Sequence, residues 1–112
     1  MIDEWQPELV LVSCGFDACS GHPPQLGGYN LSPQIFGWMV NQVMKLTNGK
    51  IVLALEGGYN IPSICDSAEQ VVKALLGLPL AQLSEKELTR RPNAMAVETL
   101  QKVCKVQSEF CC

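Results

Sequence analysis

A chain of 112 residues, 47% hydrophobic and 17% charged, has the composition of one modest domain or part of a larger one, not of a disordered tail. Its formal charge of -3 splits as -5 over residues 1–70 and +2 over residues 71–112, and its longest basic run is Arg90-Arg91, so the clustered basic face that direct DNA binding requires is missing. No apolar run approaches the roughly 18 residues that span a bilayer, and the acidic start Met1-Ile2-Asp3-Glu4-Trp5 reads neither as a membrane anchor nor as a targeting signal.

Residues 8–13 (Glu8-Leu9-Val10-Leu11-Val12-Ser13) form an apolar run without alternation, and residues 50–56 repeat its character. Such runs predict strands buried on both faces of a parallel sheet. Between them Ser32 predicts an N-cap and Pro33 the first helical position. The rows Ile35, Met39, Val43 and Phe36, Val40, Met44 predict a stripe that covers the sheet, with Trp38 and Met39 in the core, and Asn48-Gly49 predicts a left-handed stop.

After the second strand, Gly57-Gly58-Tyr59-Asn60 turns into a helix with Pro62 in its first turn. There Ile61, Ile64, Cys65, Ala68, Val72 and Leu75 keep helical spacing up to Gly77. Ser84-Glu85-Lys86-Glu87 has capping-box spacing for a short helix that Pro92 ends. A last helix is expected over about 94–110 with Val97, Leu100, Val103 and Cys104 inward. The order is a βαβα unit over residues 1–77 followed by helices over 78–112, an α/β fold with parallel strands. Its two strands are either adjacent or flank a third. A two-stranded parallel sheet is a poor independent fold, which points to part of something larger.

Ligands of open α/β sheets bind outside the carboxyl ends of the strands, and that rule marks two loops. The first, Cys14 to Leu31, carries Asp17 and His22, the only histidine; the second is Glu56-Gly57-Gly58-Tyr59-Asn60. With parallel strands both loops emerge on one edge, where Asp17 and Tyr59 can face one crevice. Each residue also has a plainer role open to it. Asp17 can cap a turn, Tyr59 can pack at a helix start, and Glu56 can pair locally. His22 reads as a solvated or structural residue before a ligand, and Gly57-Gly58 as a turn that needs φ > 0. A catalytic zinc takes three protein ligands, and no short-spaced pair such as D-x-H joins these residues. The six cysteines (14, 19, 65, 104, 111, 112) show no C-x-x-C pair. They are expected as reduced, mostly buried intracellular thiols, which leaves a redox or metal module the weakest reading.

The same residues carry a family resemblance over nearly the whole chain. Val10-Leu11-Val12-Ser13-Cys14-Gly15-Phe16-Asp17-Ala18 resembles the V-L-V-S-x-G-F-D-A segment of class II histone deacetylases, and Gly21-His22-Pro23-Pro24-Gln25-Leu26-Gly27-Gly28-Tyr29 continues it. Residues 51–60, I-V-L-A-L-E-G-G-Y-N, resemble the family's catalytic strand and loop. Arg91-Pro92-Asn93-Ala94 and the helix after it resemble the end of a class IIa catalytic domain. The resemblance implies the arginase/deacetylase α/β fold with a central parallel sheet flanked by helices. It makes residues 1–112 the C-terminal portion of a catalytic domain. The implied reaction is zinc-dependent hydrolysis of N-ε-acetyl-lysine in histones or other proteins, contributing to transcriptional repression.

By the same resemblance Asp17 matches one of three zinc ligands, and Tyr59 matches the phenol that hydrogen-bonds the oxyanion. Leu26 matches a wall of the lysine tunnel and Gly58 its floor, while His22 matches a loop position and not a ligand. Acetylated histone tails and co-repressor proteins are the implied partners, and shuttling between nucleus and cytoplasm the implied location. Vertebrate class IIa enzymes carry His where this chain has Tyr59, so Tyr59 implies a competent hydrolase. The family's D-x-H ligand pair and paired-His base lie upstream of Asp17. The 112 residues alone are therefore expected to be inactive and marginally folded, with a non-catalytic interaction module as the alternative reading.

Overall fold

The computed structural model describes residues 6–23 and 28–110. These fall into two compact units, one ending at Leu83 and the other starting at Ser84. In the first, strand β1 (Val10–Cys14) lies parallel and adjacent to β2 (Ile51–Leu55), with Val10 opposite Ile51 and Cys14 opposite Leu55. The chain folds as an α/β unit, a parallel strand pair with flanking helices.

Only one sheet face is covered. Cys14, Ile51 and Leu53 pack on the core, while Leu11 and Val52 are exposed. The expectation of strands buried on both faces fails here because both packed helices contribute to one cluster, and no described residue of this unit lies over the other side.

Helix α1 (Pro33–Leu46) begins where the Pro33 signal puts it, but the Ser32 hydroxyl makes no capping bond. The Ile35 N–H donates instead to the Ser32 carbonyl at 3.2 Å, which occupies the donor a cap would use. The helix stops at Asn48 (φ 50°) and Gly49 (φ 81°), both left-handed, and the Thr47 and Gly49 N–H groups both donate to the Met44 carbonyl.

The core is Phe16, Cys19, Phe36, Val40, Val71 and Ala74. Phe16 meets Phe36 edge-to-face with ring centroids 5.2 Å apart, a geometry worth about 0.5–1.5 kcal/mol beyond area burial. Trp38 and Met39, expected inside, are 53% and 41% exposed. They sit on the flank of α1 that neither the sheet nor the next helix covers. There Trp38 lines an apolar groove of about 410 Å³ with Ile35, Leu80 and Leu83.

Helix α2 (Ile61–Leu75) buries Ser63, Ser67, Gln70, Val71 and Ala74; of the apolar row its spacing suggests, Ile64 and Ala68 pack partly buried on the core, while Ile61 and Val72 are exposed. The two helices approach closely at Gly37. A Cβ added at Gly37 of α1 would stand 2.6 Å from the Gln70 carbonyl oxygen and 3.0 Å from Leu80 Cδ2, so the helices meet where side chains are small. Gln70 Oε1 accepts the Ala81 N–H at 2.9 Å and ties down the segment after the helix. The Ser67 hydroxyl is buried without a hydrogen-bond partner among the described residues. Gly37→Ala is accordingly expected to destabilise by about 1–3 kcal/mol through overpacking, outweighing the roughly 1 kcal/mol alanine gains in helix propensity. Thermal unfolding reads the balance, and an unchanged midpoint would mean the helices part freely.

In the second unit α3 (Glu85–Thr89) has the expected cap, the Ser84 hydroxyl accepting the Glu87 N–H at 3.3 Å. Helix α4 (Ala94–Phe110) starts on Asn93, whose side-chain oxygen accepts the Ala96 N–H at 2.7 Å. Its predicted inward residues Val97, Leu100, Val103 and Cys104 are all exposed. Spacing alone does not bury a stripe, and no described residue of this unit covers this one. Of the four described cysteines, all free thiols, only Cys19 is buried. Cys14 is half-buried, which pushes its thiol pKa up by desolvation, and Cys65 and Cys104 are exposed, contrary to the expectation of mostly buried thiols. Cys111 and Cys112 lie outside the described residues. No described helix is long and apolar enough to cross a membrane.

Candidate active-site loops

Cys14 pairs with Leu55, so the residues that follow each strand leave the sheet side by side. The ladder runs on past the strand ends. The Glu56 N–H donates to the Cys14 carbonyl at 3.2 Å, and the Phe16 N–H to the Gly57 carbonyl at 3.3 Å. Both loops are thus fixed to each other before any functional side chain is reached.

Asp17 stands against this junction, partly buried. A Cβ at Gly57 would come within 2.5 Å of Asp17 Oδ2, and one at Gly15 within 3.0 Å of the same oxygen and 2.6 Å of the Glu56 carbonyl. Gly57 (φ 107°) and Gly58 (φ 96°) also need the left-handed region that other residues rarely adopt. Two independent reasons, space and conformation, therefore require glycine at 57. Gly58 packs on buried Phe16, where an added Cβ would be 3.2 Å from Phe16 Cβ. The Asp17 carboxylate accepts no hydrogen bond from any described residue, so it is not a turn cap. Tyr59 is 77% exposed, so it is not a ring packed at the helix start.

His22 sits at the centre of the contacts between the loops. Its Nε2 lies 2.9 Å from the Tyr59 backbone N and 3.2 Å from that of Asn60. Both are N–H donors, so Nε2 must be the accepting nitrogen. The proton is then on Nδ1, which donates to the Cys19 carbonyl at 3.0 Å. Asn60 caps α2, its Oδ1 accepting the Ser63 N–H at 3.1 Å. Ser63 Oγ lies within donating distance of both the Ser20 carbonyl (2.7 Å) and Asn60 Oδ1 (2.8 Å). At Gly21 (φ 101°) a Cβ would sit 2.5 Å from that hydroxyl.

The structure therefore places Asp17, Gly58 and Tyr59 on adjoining loops at one sheet edge, with Asp17 against Gly57. Leu26 lies outside the described residues. Three further residues build the junction: Asn60 and Gly21, which read from the sequence only as members of a loop and a motif, and Ser63. Asn60 two residues before Pro62 is the N-cap signal that would have found the first of them. Among the described residues no three His, Cys, Asp or Glu side chains converge to hold a metal. The unpartnered Asp17 carboxylate fits one position of a metal site, and the described residues do not complete it.

The family model for the histone deacetylase domain matches residues 1–75. Human histone deacetylase 7 is 49% identical over 107 residues, 96% of this chain and 11% of its own length. Human histone deacetylase 9 is 50% identical, covering 94% of this chain and 10% of its own length. Histone deacetylase 4 of Caenorhabditis elegans is 47% identical, covering 93% and 12%. The chain thus spans about a tenth of the length of these curated relatives. Among solved structures, that of the histone deacetylase Clr3 superposes with a TM-score of 0.80 at 41% identity, covering 96% of this chain and 17% of that one. The HDA15 HD domain superposes at 0.75 and 34% identity, covering 96% and 27%.

Proposed function

Because the chain belongs to the histone deacetylase family, we propose that it forms the C-terminal portion of a catalytic domain that hydrolyses N-ε-acetyl-lysine in a zinc-dependent reaction. The observation that carries the reading is the pairing of Cys14 with Leu55, which puts an unpartnered carboxylate and an exposed phenol on adjoining loops. A bound zinc would polarise the acetyl carbonyl and the attacking water. Asp17 would supply one of its ligands, and at least two more must come from outside the described residues.

The phenol of Tyr59 donates its proton in a hydrogen bond to the carbonyl oxygen as that oxygen gains charge. Gly58, backed by Phe16, offers bare backbone beside the lysine methylenes, and Leu26 supplies a wall of their tunnel. The substrates are acetylated histone tails or other acetyl-lysine proteins. Co-repressor proteins are partners, the output is transcriptional repression, and the protein works in both nucleus and cytoplasm. Of these statements, family membership supports the deacetylase chemistry.

The test uses a polypeptide that joins this chain to the rest of a deacetylase domain, with acetate release from an acetyl-lysine peptide as readout. Removing metal with a chelator should abolish release, and added zinc should restore it. Full activity in a demonstrably zinc-free sample would sink the reading.

A further inference from the structure

Resting on that reading, we propose that His22 is a positioning residue which, as a neutral imidazole accepting through Nε2, holds Tyr59 at a fixed distance from the Asp17 loop. Among the described residues nothing else hydrogen-bonds Tyr59. Its ring is 77% exposed and its hydroxyl makes no hydrogen bond to a described residue. It also follows two consecutive glycines at positive φ, the residue type that restrains a backbone least. What fixes it is its own N–H, and that N–H ends on His22 at 2.9 Å.

The other end of the imidazole is firmly founded. Nδ1–H donates to the carbonyl of Cys19, which is fully buried and lies two residues beyond Asp17. The Cys19 N–H in turn donates to the Phe16 carbonyl at 2.9 Å, and Phe16 is core. The ring is thus a rigid spacer between the Asp17 turn and the Tyr59 backbone. It also receives the Asn60 N–H, so it aligns the start of α2 in the same contact. An imidazole suits the task because one planar ring donates on one side and accepts on the other at a set separation. The chemistry needs such a spacer, since a donor displaced by about 1 Å can cost around a hundredfold in rate.

Two substitutions separate acceptor from donor. In His22→Gln the side-chain oxygen reaches about as far as Nε2, whereas in His22→Asn the amide ends near the position of Nδ1. In the joined deacetylase, H22N should lower kcat about tenfold to a hundredfold with KM and zinc content unchanged. H22Q should recover most of the loss. In a Tyr59→Phe background H22N should cost little further, because the histidine acts through the phenol that is already gone. Equal kcat in wild type, H22N and H22Q would overturn the proposal. So would an undiminished H22N effect in the Y59F background, or zinc loss as the cause. If H22N does not fold, H22Q decides alone: near-wild-type kcat supports the acceptor role, and a deep loss in a folded protein refutes it.

A wild-type protein with no deacetylation would count against the proposed function instead. Amide exchange then judges the spacer: protection of the Tyr59 and Asn60 N–H groups should be lost in H22N and kept in H22Q. Equal protection in all three proteins would refute it.

Discussion

Replacing Asp17 with asparagine should strip the joined deacetylase of zinc and of acetate release while leaving the metal-free fold almost untouched. The two side chains have nearly the same shape, so the contact with Gly57, where a Cβ would lie 2.5 Å from Oδ2, is preserved. The carboxylate accepts no hydrogen bond from a described residue, so removing its charge orphans no donor and should shift unfolding by no more than about 0.5 kcal/mol. Metal affinity is another matter. Loss of a partner that merely orients a ligand typically costs about 10–100-fold, and loss of the ligand's own anionic oxygen should cost at least as much. Zinc content by mass spectrometry of the native protein, read beside thermal unfolding, separates the two effects. Retained zinc with retained turnover would assign Asp17 a purely structural role.

Tyr59→Phe should lower kcat by about a hundredfold to a thousandfold, the 2.7–4 kcal/mol typical for removal of one oxyanion donor, with little change in KM. The asymmetry follows from exposure. A ring that is 77% exposed contributes little packing, so its hydroxyl has nothing to do for stability. A hydroxyl that bonds the oxygen only as charge develops acts on the barrier and not on ground-state binding. Tyr59→His is expected to fall short too, because the smaller imidazole ends short of the phenol's reach. Steady-state kinetics on an acetyl-lysine peptide decide the matter, and a KM effect without a kcat effect would make Tyr59 a substrate contact.

Much of this architecture was legible from the chain alone, for local reasons. Pro33, Asn48-Gly49, Pro62 and Ser84 act within a few residues of themselves, and the helices begin and end at or near them. The two site loops were equally readable, because a parallel pair must send both carboxyl ends to one edge. What failed depended on partners. The periodicity of α1 offers Met39 and Phe36 on equal terms, and only the position of α2 decides that Phe36 is buried and Met39 is not. On α2 only Ile64 and Ala68 of the apolar row reach the core, while Ser63 is buried through its contacts with Ser20 and Asn60, which no helical period announces. The stripe of α4 has no opposing surface among the described residues of its own unit. His22 reads from the sequence as a loop position, and its bonds to residues 37 and 38 positions away have no local signature.

The register of the strand pair also sets where this sequence can tolerate a change of length. Cys14 faces Leu55, and the alignment of the Asp17 and Tyr59 loops is inherited from that single pairing. A residue inserted at the Asn48-Gly49 turn lengthens a connection and leaves the pairing alone. A residue inserted between Ile51 and Leu55 slides everything after it by about 3.3 Å and turns each following side chain to the opposite face. Point substitutions spread widely over the helices are therefore compatible with descent from a working ancestor, whereas an insertion or deletion inside either five-residue strand is close to lethal. Gaps in the lineage of this segment should cluster in its connections and spare ten strand positions, none of which touches the chemistry.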